Sequence, residues 1–168
     1  AIDVARWDVR FDALSEDGLE QAHQDFRRAL NLDFGRFIED HYKDWVHRQD
    51  RRPMLSTDIV RHAVVPQLKQ GRRVVFIIID CMRLDQWFTL EPLLEEHFDI
   101  RREYYCSILP TATPYARNAI FSGQFPSEIA RDRPQWWNSS DDEGSLNAFE
   151  DSLLSDQLQR LLRRKVPV

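Results

Sequence analysis

The stretch from Arg73 to Ile79 reads Arg-Val-Val-Phe-Ile-Ile-Ile and runs directly into Asp80. β-Branched and aromatic side chains suit a pleated surface better than a helix. A run this continuous, without polar alternation, predicts a central parallel strand covered on both faces. A helix is expected next over Leu84 to Phe98, then a second strand over Asp99 to Ile108. Pro110 to Pro114 should turn, and Tyr115 to Phe121 should form a short helix ended by Gly123. The order strand, helix, strand, helix predicts an α/β fold with a mostly parallel sheet.

The flanks look different. From Ser15 and Gly18 onward, Leu19, Ala22, Phe26, Leu30, Phe34, Phe37, Ile38, His41, Trp45 and Val46 recur at three- and four-residue steps. That spacing gives an amphipathic helix with a broad apolar stripe, expected to pack on a neighbour. Arg51-Arg52-Pro53 breaks it. Ser56 is the expected N-cap of a second helix through Lys69, with Pro66 kinking or shortening it and Gln70-Gly71 as its stop. Residues 131–144 read as a polar loop bearing Trp136 and Trp137. A last helix is expected over Ser145 to Lys165, with Leu146, Phe149, Leu153, Leu154, Leu158, Leu161 and Leu162 on one face. The domain division expected is a helical bundle over residues 1–70 and an α/β part over residues 71–168.

The chain's 168 residues suit one compact domain with an appendage. A net charge of −5 offers no electrostatic footprint for duplex nucleic acid. It leaves a phosphate substrate open, because bound divalent ions reverse the local charge. Cys81 and Cys106 are too few for a disulfide framework and lack metal-site spacing, which points to reduced thiols in a cytoplasmic protein. No apolar run approaches the roughly 20 residues of a membrane span. No basic segment followed by an apolar stretch opens the chain, so no secretory signal is expected. A start at Ala1 without Met suggests a fragment or a processed product.

In open α/β sheets, sites form outside the carboxyl ends of strands. Two segments should land there: Ile79-Asp80-Cys81-Met82-Arg83-Leu84-Asp85, and Leu109-Pro110-Thr111-Ala112-Thr113-Pro114 at the entrance of a helix. A helix N-terminus favours a phosphate or an ionised alkoxide. Thr is a weak nucleophile at neutral pH unless a divalent metal lowers the pKa of its hydroxyl. Asp80 is the carboxylate placed to hold such a metal. Arg117 could clamp non-bridging phosphate oxygens and Asn118 could donate a hydrogen bond there. Asp85 reads more simply as the cap of the following helix.

These segments, with Ser107-Ile108-Leu109-Pro110-Thr111-Ala112-Thr113 and Ala116-Arg117-Asn118-Ala119-Ile120-Phe121-Ser122-Gly123, closely resemble the PglZ domain of the alkaline phosphatase superfamily. Pro110-Thr111-x-Thr113, Ser122-Gly123 and Pro126-Ser127-Glu128 also resemble the nucleophile segment of nucleotide pyrophosphatase/phosphodiesterases. The resemblance implies Thr113 as a metal-bound nucleophile and Asp80 as a ligand. The Asn that helps hold phosphate in the phosphodiesterases falls at Ala116, so Arg117 or Asn118 would take that role. The cofactor implied is a pair of zinc ions, with Mg²⁺ or Mn²⁺ as hard-ligand substitutes. Pro53-Met54-Leu55-Ser56, Gly71-Arg72-Arg73, Tyr115-Ala116-Arg117-Asn118, Trp136-Trp137 and Asp142-Glu143-Gly144 look like PorX-type response regulators. By that likeness, residues 1–70 match a helical linker and residues 72–168 the first part of an effector domain.

The superfamily's remaining ligands are late Asp and His residues, whereas His23, His41, His47, His62 and His97 all precede Thr113. This chain alone is therefore not expected to complete a two-metal site or to turn over substrate. The function expected of the complete protein is metal-dependent hydrolysis of a phosphoester, most simply a phosphodiester and conceivably a nucleotide. Its setting would be a two-component regulator linked to type IX secretion, with an upstream receiver domain and sensor kinase as partners. The rival is a non-catalytic binding module that transmits dimerisation, for which a homodimer would be the natural state.

Overall fold

A computed structural model describes residues 2–12, 17–137 and 147–168. The chain forms two compact units, Ala1–Arg52 with Ile79–Arg102, and Pro53–Ile78 with Glu103–Val168.

The first unit holds α1 (Ile2–Asp12), α2 (Asp17–His47) and α4 (Leu84–Glu95), α3 belonging to the second unit. Asp8 of α1 ties to α2 twice, through His23 at 2.6 Å and Arg27 at 3.3 Å. The guanidinium of Arg6 lies over the Phe88 ring of α4 at 5.4 Å, and that of Arg102 over the same ring at 5.9 Å. Such stacked cations contribute about 0.5–1 kcal/mol each near a surface. Arg102 also pairs with the buried carboxylate of Glu91 at 2.8 Å. Of the apolar stripe on α2, Trp45 is buried, whereas Phe26, Phe34 and Phe37 are exposed. Ser15, at the expected start of this helix, lies outside the described residues.

The second unit is built round Val60, Val64, Val65, Ile120 and Leu158. Val60–Val64 form a π-turn that leads into α3 (Val65–Lys69). Pro66 stands in the first turn of α3, where a missing N–H leaves no helical bond unmade. The expected kink is thus resolved as a widened turn before the proline. Ser56, the expected cap, instead opens a short 3₁₀ turn, Ser56–Asp58. α5 (Thr113–Ser122) and α7 (Glu150–Leu162) pack together, with α6 (Pro126–Asp132) following α5. The last helix is shorter than the periodicity predicts, and it stops at Arg163 in the left-handed region (φ 55°). Leu146 lies outside the described residues.

The expected α/β fold with a mostly parallel sheet is overturned. Among the described residues every regular element is helical, and the β content is one isolated parallel bridge, Leu55 to Cys106. The apolar run is extended, but no ladder forms along it. Val74, Phe76 and Ile78 pack on the core, while Val75 and Ile77 are 86% and 72% exposed. A strand exists only where a neighbour supplies alternate hydrogen bonds. The second expected strand turns elsewhere: the Cys106 N–H donates to the Met54 carbonyl at 2.8 Å and that of Ile108 to Ser56 Oγ at 3.1 Å.

Candidate functional site

Asp80 follows the extended run in the first unit and is exposed. Its Oδ1 accepts the backbone N–H of Cys81 at 3.1 Å, a turn closed by the side chain itself. Cys81 holds φ at 58°, a left-handed conformation that costs a non-glycine residue about 1–3 kcal/mol. Arg83 then grips Asp85 through both its Nε and Nη2, the shorter contact being 2.6 Å. That hydrogen bond from Arg83 holds the Asp85 carboxyl below its ordinary value. Asp85 stands in the first turn of α4, where a negative charge suits the helix dipole.

Thr113, Arg117 and Asn118 belong to the second unit and share α5. Thr113 is the first residue of the helix and partly exposed. Pro114 has no N–H, and the N–H groups of Tyr115 and Ala116 both donate to the Ala112 carbonyl, at 3.1 and 3.0 Å. What α5 offers an anion is therefore the helix dipole more than a row of N–H donors. Arg117 lies one turn after Thr113 and on the same face of the helix. Asn118 is fully buried and faces the interior instead. The Tyr115 ring meets that of Trp137 at 5.8 Å between centroids, closing one side of this turn.

The main partner of Arg117 is a residue that the sequence did not single out. Its Nη2 donates to Glu150 Oε2 at 2.5 Å, and Asn147 Nδ2 donates to Glu150 Oε1 at 2.6 Å. Glu150 begins α7, so its charge also sits well with that helix dipole. A lone Glu opening a helix gives no local hint that it meets an Arg on another helix.

The residues present do not fit a two-ion site. Among the described residues no three His, Cys, Asp or Glu side chains gather as they would around a metal. His23 is engaged by Asp8, His62 by Glu103 at 2.6 Å, and His41 Nδ1 lies 2.8 Å from the Phe37 carbonyl.

The α5 and α7 segments lie within residues 59–162, which match the family model described as the BREX system PglZ alkaline phosphatase-like domain. No curated protein matches the chain. Because that match spans more than half of the sequence, the chain belongs to the PglZ family, an alkaline phosphatase-like, phosphoesterase-type family.

Proposed function

We propose that this chain supplies the nucleophile-bearing part of a phosphoester hydrolase whose substrate is a phosphodiester. The observation that carries the reading is the placement of Thr113 at the start of α5 with Arg117 one turn on, inside the segment matched by the family. Arg117 brings a positive charge to the face where a phosphoryl group would sit. Attack of Thr113 Oγ on phosphorus forms the phospho-threonyl bond and displaces the ester alcohol. Water then breaks that bond, releasing phosphate and restoring the hydroxyl. Asp80 remains the proposed carboxylate ligand of the family's metal, with zinc first and Mg²⁺ or Mn²⁺ as substitutes. In the full-length protein, Thr113→Ala is expected to abolish turnover of bis(p-nitrophenyl) phosphate with little change in melting temperature. Retained turnover would overturn the assignment.

A second reading is supported by the exposed Phe26, Leu32, Phe34 and Phe37 of α2. Aromatic residues this exposed on one helix suit a docking role in a signalling regulator, with a receiver domain or a second copy as partner. In that case a chelator leaves partner binding unchanged.

A further inference from the structure

We infer that Glu150 determines specificity at the phosphate site, disfavouring dianionic phosphomonoesters relative to monoanionic diesters. The inference rests on the reading of Thr113 and Arg117 as the pair that faces phosphorus. Both oxygens of Glu150 are engaged, Oε2 by Arg117 and Oε1 by Asn147, so the carboxylate is fixed in place. The pair is partly shielded from water, with side-chain exposures of 30% for Arg117 and 17% for Glu150. The spacing is set by two packed helices, because α5 and α7 share the core of Ile120 and Leu158.

An Arg with a carboxylate bound to it presents little net charge to an incoming anion. A second negative charge on the ligand therefore meets the repulsion of Glu150 without a further cation to offset it. A diester carries only one charge and escapes that extra term. Asn147 is a positioning residue here, since it touches the carboxylate and not the ligand.

The test measures calorimetric affinities of the full-length protein for phenyl phosphate, a dianion, and diphenyl phosphate, a monoanion. The wild type is expected to favour diphenyl phosphate. Glu150→Gln keeps the shape and removes the charge, and should shift the affinity ratio toward phenyl phosphate by about tenfold. Glu150→Asp keeps the charge and should retain most of the wild-type ratio. Glu150→Ala is a second charge-removing variant, so that a folding defect peculiar to the amide does not decide the outcome. A purely structural Glu150 would weaken both ligands equally and leave the ratio unchanged, which overturns the inference while leaving the phosphate site in place. Binding of neither ester by the wild type would instead overturn the underlying reading, and the inference with it.

Discussion

Asp156 sits between two guanidinium groups, with Arg133 Nη2 and Arg160 Nε each 2.8 Å from its oxygens. Burial pushes its carboxyl up, but the hydrogen bonds from the two arginines outweigh burial and hold it below its ordinary value. A depressed carboxyl stabilises the fold above its unfolded pKa, and the contribution is lost as pH falls through the lower folded value. That places the loss below about pH 4. Asp156→Asn should therefore cost about 1–2 kcal/mol at neutral pH, while its urea midpoint converges on that of the wild type in acid. A gap that stays constant down to low pH would refute this. Gly123 makes a second case at the same scale. It caps α5 at φ 66°, and the amide of Gln157 occupies the space a Cβ would need. With its amide oriented to suit its neighbours, Gln157 donates to the Phe121 carbonyl at 2.9 Å and accepts from the Gly123 N–H at 3.2 Å. Gly123→Ala should destabilise by about 2 kcal/mol or more, read from chemical denaturation; a neutral variant would mean that the Gln157 amide moves aside freely. The glycine stop was legible in the sequence because left-handed preference is local. The Gln157 and Glu150 partners were not, since both arrive from another helix.

The apolar periodicity of the last helix and the Thr-Pro opening of α5 are legible because a helix makes its bonds within itself. The strand over residues 73–79 was not secured by its composition, because a strand borrows its hydrogen bonds from a neighbour. The run has the residues for a sheet and adopts the extended backbone, yet packs Val74, Phe76 and Ile78 against helices. Its backbone amides should accordingly exchange with solvent orders of magnitude faster than those of Ala119 to Ser122 in α5. Hydrogen exchange by mass spectrometry or NMR checks this. Slow exchange over residues 74–79 would mean that a ladder forms in solution.

Carboxylates and histidines are plentiful over the chain as a whole, but among the described residues they are not gathered. This chain, purified and dialysed, should therefore hold well below one zinc ion; elemental analysis returning about two would show that its donors do converge. The family was legible in short segments, whereas a metal site depends on donors meeting across the fold, which no segment reveals. Each compact unit is made of two separated stretches of chain. During synthesis the first unit must wait for Arg102, and Pro53–Ile78 must wait for the residues after Glu103. Val60, Val64 and Val65 thus leave the ribosome well before Ile120 and Leu158 arrive to cover them. The nascent chain has its greatest need of a chaperone in that interval.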